Sequence, residues 1–169
     1  WSHVIASLIK PPGVIEQLFL GNSTHVVDLA FHLCGFPKDW CSWHSGSIDW
    51  HPSAARFCGS GVTDQGVLFS YHADWEAPGR WGLEVLTRMR RFIFRPMEQL
   101  QVIQLGSVKV ESVALDDRLD REFKPGLYEQ TKAFLAKDNR WFISIDDQLR
   151  HCAIYDKIAG YDEVGEQPH

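Results

Sequence analysis

The chain has 169 residues, 44% of them hydrophobic, and a formal net charge of −5. That suits one globular domain with a real core and withholds the basic face that nucleic-acid binding needs. No apolar run approaches the ~20 residues of a membrane-spanning helix, and no signal peptide stands at the start.

The first residue is Trp1 rather than methionine, so the chain is expected to be a fragment or a processed product. His3 to Ile9 reads as a strand broken by Lys10-Pro11-Pro12-Gly13, and Val14 to Leu20 leads into the best-marked helix. That helix runs from Asn22 to Gly35, with Asn22 or Ser23 as cap and Gly35 and Pro37 as stop. At 100° per residue His25, Asp28 and His32 fall within one arc of roughly 60°. Val26, Val27, Leu29, Ala30, Phe31, Leu33 and Cys34 cover most of the rest. A stripe of two imidazoles and a carboxylate is costly to bury unpaired. Three readings of it stand: a solvated or internally bonded edge, a metal site spaced His-x2-Asp-x3-His, or acid–base chemistry by His25.

Phe36 to Pro52 is rich in Trp, Ser and His and reads as strand–turn–strand. Cys34, Cys41, His44, His51 and Cys58 lack the paired short spacings of a zinc knuckle, so no metal is expected there. The four cysteines read as reduced thiols of a cytoplasmic protein. Gly59-Ser60-Gly61 has the wrong spacing for a phosphate cradle and reads as a turn. Gly66 to Asp74 alternates, with Val67, Phe69, Tyr71 and Ala73 on one face and Leu68, Ser70, His72 and Asp74 on the other. Arg80 to Thr87 and Arg90 to Arg95 follow as strands joined by a basic turn, and Val108 to Ala114 is a further one. Then come helices. Leu127, Thr131, Phe134 and Leu135 share one face after Pro125. Ser144 and Asp147 form a capping-box pattern, and Leu149, Cys152 and Ile158 make an inner stripe up to Gly160. The expected fold is α+β over one domain, 1–169: an open, mostly antiparallel sheet with helices packed on one face.

The pattern His-x-x-Asp-Leu-x-x-x-Leu-x-Gly, at His25, Asp28, Leu29, Leu33 and Gly35, resembles the first helix of the substrate domain in Gfo/Idh/MocA oxidoreductases. Three later pieces are similar to the same family, in its order. They are the segment from Trp75 to Val85, the Arg-Pro-x-Glu-x-Leu ending at Arg95, Pro96, Glu98 and Leu100, and the helix from Phe123 to Leu135. The resemblance spans most of Asn22 to Tyr161. It implies the substrate-binding and dimerisation domain of an NAD(P)-dependent oxidoreductase acting on a sugar, cyclitol or nucleotide sugar. His25 would be the catalytic proton donor or acceptor, with Asn22, Asp28 and His32 around the substrate. NAD or NADP would sit in an N-terminal dinucleotide domain outside this chain, which alone would bind no cofactor and be inactive. A homo-oligomer through the sheet face is implied as well, with neither nucleic acid nor membrane as partner. Two departures stand out: Gly21 occupies the place of the family's frequent aspartate, and Ile9-Lys10-Pro11 lacks the glutamate of its Glu-Lys-Pro motif.

Two other classes compete. A non-catalytic carbohydrate-binding or protein-interaction module would use Trp40, Trp43, Trp50, Trp75 and Trp81, which otherwise fill a core or a subunit interface. A metal-dependent enzyme would use the stripe His25, Asp28 and His32.

Overall fold

The computed structural model describes residues 17–51 and 53–161. The strand expected over His3 to Ile9 lies outside the described residues. Helices Leu18–Asn22 (α1) and Thr24–Cys34 (α2) follow one another with only Ser23 between them. Ser23 keeps helical angles (φ −77°, ψ −18°), and its amide donates to Phe19 O, so α2 begins at a joint rather than a free end. The capped start expected at Asn22 or Ser23 is corrected accordingly. Asn22 closes α1, and the buried Ser23 hydroxyl has no hydrogen-bond partner among the described residues. Gly35 does end α2. Its φ of +88° suits glycine, and Asp64 Oδ1 then accepts from Phe36 N at 3.0 Å.

The chain's internal contacts divide it into two compact units, residues up to Trp81 with those from Leu149 onward, and Gly82–Gln148. In the first unit, strands Pro37–Ser45 (β1), Arg56–Thr63 (β2) and Leu68–Asp74 (β3) form an antiparallel sheet in that order. The alternation of Leu68 to Asp74 is realised, with Phe69, Tyr71 and Ala73 turned inward. β2 corrects the turn expected at Gly59-Ser60-Gly61, for all three lie inside the central strand. A Cβ at Gly59 would enter the Tyr71 ring, and one at Gly61 would meet the Asp39 carbonyl and Trp40. These glycines serve close packing within a sheet. Tyr71 lies across Gly59 with its hydroxyl 2.7 Å from Ser42 Oγ, which itself donates to Lys157 O. Burial pushes the Tyr71 hydroxyl up to about 12.

Helices cover the inner face of this sheet. Phe19 of α1, Phe31 of α2, Phe57 and Ala73 of the sheet, and Ile154, Tyr155 and Ile158 of the last helix, Ile145–Ala159, share one core. Trp75 belongs to that core, and half-buried Trp50 stacks on it at 5.2 Å and 16°. His51 sits among these rings with no exposure at all. Its Nδ1 is 2.6 Å from Ala54 O, so that nitrogen donates, and Tyr161 OH donates to Nε2 at 2.8 Å.

The second unit is a meander of strands Leu83–Leu86 (β4), Arg90–Phe94 (β5), Leu100–Gln104 (β6) and Glu111–Val113 (β7), paired in that order. β6 has no counterpart among the sequence-expected strands. Helices Arg118–Glu122 (α3) and Leu127–Leu135 (α4) follow, then a 3₁₀ turn at Asn139–Trp141 and the last helix (α5). Ser144 caps the start of this helix, since Asp147 N donates to Ser144 Oγ at 3.0 Å, and the Ser144 hydroxyl in turn donates to Asp147 Oδ2 at 2.8 Å. Of the inner stripe expected on α5, Ile158 is buried and Cys152 packs against the core, and Leu149 alone departs from it. Leu149 is exposed, and the buried residues are His151, Ile154, Tyr155, Ile158 and Ala159. The fold is α+β with open antiparallel sheets; the strands make two sheets where one was expected.

Candidate functional site

The polar stripe of α2 has access to solvent, and the structure gives its members different surroundings. Asn22, at the end of α1, is half-buried. His25, in the first turn of α2, is exposed, and its ring centre lies 5.8 Å from that of the half-buried Trp81, tilted by 55°. An imidazole and an indole thus meet at the surface, the polar group free to reach water. His32 is exposed two turns further on.

Asp28 turns the other way. Its Oδ1 lies 2.6 Å from His151 Nδ1 and also accepts from Tyr155 OH. A carboxylate only accepts, so the imidazole Nδ1–H and the phenol O–H both donate to it. His151 and Tyr155 are buried on α5, while Asp28 keeps 43% of its side chain exposed. This contact ties α2 to α5 across 123 residues of chain. It therefore fixes the helix that presents His25. His151 and Tyr155 had escaped sequence reading, although their spacing of four, continued by Ile158, was a helical signal for one buried face.

The metal reading of the stripe finds no footing here. Among the described residues no three His, Cys, Asp or Glu side chains gather closely enough to hold a metal ion. Asp28 Oδ1 is engaged by α5, and His51 uses both ring nitrogens inside the core. The four cysteines are free thiols. Burial raises the Cys34 thiol above its ordinary range, which disfavours the nucleophilic thiolate.

Concave surface occurs elsewhere. In the second unit a groove along α4, lined by Phe123, Leu127, Tyr128 and Leu135, holds none of the stripe residues. Comparison of the chain with known protein families, with curated proteins and with solved structures finds no match.

Proposed function

We propose that this chain is the substrate-binding and dimerisation domain of an NAD(P)-dependent oxidoreductase acting on a sugar, cyclitol or nucleotide sugar, with His25 exchanging the substrate's hydroxyl proton. The observation that carries this reading is an exposed imidazole beside the indole of Trp81. An indole face packs well on the C–H face of a sugar ring. A histidine within about 3 Å of a hydroxyl takes its proton as the alcohol carbon is oxidised. Asn22 and His32 lie before and after His25 near the same stripe and would contact further hydroxyls, while Asp28 steadies the helix.

No glycine-rich turn at a helix start supports a dinucleotide site in Gly59-Ser60-Gly61. Gly59-Ser60-Gly61 lies in mid-strand under Tyr71 and opens no helix, so it offers no row of amides to a pyrophosphate. NAD or NADP would be held by a domain outside this chain.

Titration of the chain with a simple sugar or cyclitol to about 10 mM, a range that detects weak binding, is expected to shift the His25 ring and Trp81 indole NMR signals. Trp81→Ala should abolish the shifts. No movement of either signal would end this reading. Movement at Trp43 alone would favour the non-catalytic carbohydrate-binding module, because Trp43 is 57% exposed on the sheet.

The same reading gives the outward face of the three-stranded sheet, where Cys41, Trp43, Ser60 and Ser70 are exposed, to a second copy. A stable contact there needs more than about 1,000 Å² in total. Trp43→Asp is expected to sediment as a monomer where the unaltered chain sediments as a dimer. A native monomer at high concentration counts against the face.

A further inference from the structure

We propose that one end of the four-stranded sheet, formed by the β4–β5 turn and the β6–β7 loop, docks on an anionic membrane surface. The register places residues 87–89 and 105–110 at the same end, because Arg90 pairs with Gln104. The two loops are bonded to each other, Leu105 N donating to Met89 O at 2.8 Å. Each is also closed on itself. Thr87 Oγ1 accepts from Arg90 N and donates to Arg90 O, Ser107 N donates to Gln104 O, and Gly106 takes φ +79°. The side chains displayed there are held by ordered backbone.

What they display is apolar and basic together. Leu86, Met89 and Leu105 are 61–69% exposed, and Val108 is 96% exposed. A valine with so little cover projects from the surface, so the tip is convex. Arg88, Arg90, Arg91 and Lys109 surround these side chains. The neighbouring acids, Glu84 and Glu111, are matched by Arg91 at 2.9 Å and Lys109 at 3.0 Å. Arg90 donates to the neutral Gln104. The tip therefore keeps an excess of positive charge on a chain whose net charge is −5.

The occupant follows from shape and charge. Nucleic acid is disfavoured because the tip carries no aromatic ring on which a base can stack. An acidic peptide would meet the basic side chains but leave the apolar Leu86, Met89, Leu105 and Val108 with nothing to bury against. A second copy needs about 1,000 Å² of contact, more than a few protruding side chains supply. An anionic bilayer accepts apolar side chains at its headgroup boundary and attracts the cations around them. No described helix is long and apolar enough to cross a membrane, so the contact is peripheral. The expectation of no membrane partner came from the lack of a spanning segment, which this contact does not require. The proposal is independent of the oxidoreductase reading.

The test is co-sedimentation of the 169-residue chain with vesicles of phosphatidylcholine alone and of equimolar phosphatidylcholine and phosphatidylserine. Binding to the anionic vesicles is expected to be about tenfold tighter or more, and weakened by salt. The pair Arg88→Glu and Arg90→Glu, and separately Leu105→Ser and Val108→Ser, should each weaken it about tenfold. All four positions are exposed, and unchanged circular dichroism confirms the fold; Met89→Ser replaces either pair if one does not fold. No binding, equal binding to both vesicles, or binding indifferent to the substitutions overturns the proposal. Self-association that the same substitutions abolish also overturns it, by assigning the tip to a second copy.

Discussion

His51→Ala is expected to lower the free energy of unfolding in urea by about 3–5 kcal/mol, comparable to deleting a buried aromatic side chain. The ring is wholly buried, with its centre 4.5 Å from that of Trp75 and 6.1 Å from that of Phe57. Its loss leaves a cavity among rigid rings that collapse poorly. It also strips the buried Ala54 carbonyl of its imidazole donor, which costs about 1–3 kcal/mol when left without a partner, and takes one partner from the half-buried Tyr161 hydroxyl. His51→Phe refills the volume but restores neither hydrogen bond, so it should fall between the alanine variant and the native chain.

His51 also gives the fold a pH dependence with a definite sign. Burial lowers its pKa from the ordinary 6.5, outweighing the Ala54 carbonyl, which raises it. Below 6.5 the unfolded chain therefore takes up a proton that the folded chain resists. Stability is full above that pH and declines as the pH falls toward the folded-state value. In His51→Phe the decline over this window should be visibly shallower. An identical slope in the two chains would show that other groups set the acid sensitivity.

On the proposed oxidoreductase reading, His25→Ala in a protein that joins this chain to a dinucleotide domain is expected to lower kcat by about 10²–10⁴-fold, the usual contribution of a positioned general base. The side chain is exposed and its removal opens no core cavity, so the unfolding midpoint should stay within the small range of surface substitutions. Asp28→Ala should do the reverse. It removes the carboxylate that accepts from the buried His151 and Tyr155 and leaves them their mutual contact at 2.9 Å, so stability should drop by about 1–3 kcal/mol. The two variants thus separate chemistry from support. An undiminished rate in His25→Ala would remove His25 from the mechanism, and an unaltered unfolding midpoint in Asp28→Ala would remove the tether.

Several elements were legible in the chain because their causes are local. The 3.6-residue period of Asn22 to Gly35 marks α2, and glycine's tolerance of positive φ marks its end at Gly35. The two-residue alternation of Leu68 to Asp74 marks β3 and its buried face. Ser144 caps its helix at Asp147 N within a single turn. The α+β class follows from such segments taken together.

Other features depended on groups far apart in sequence. Gly59 and Gly61 look like turn residues until Tyr71 and Trp40 are packed against them, and then only glycine fits that strand. Leu149 suits an inner stripe as well as His151 does, and periodicity alone does not say which helical face meets the core. Asp28 read equally as a metal ligand, a substrate contact or a structural tether. Its bond to a histidine 123 residues away, with the N–H donor 2.6 Å from Oδ1, became visible only once α2 and α5 were packed together. His51, one candidate ligand among five by spacing, became a core residue because Ala54 and Tyr161 satisfy both of its nitrogens. Local pattern specifies which way a backbone runs and which side chains share a face. Whether a polar group on that face is buried, bonded or left to solvent depends on the partner that packing brings to it, because an unpaired polar group is costly inside the protein and costs little at its surface.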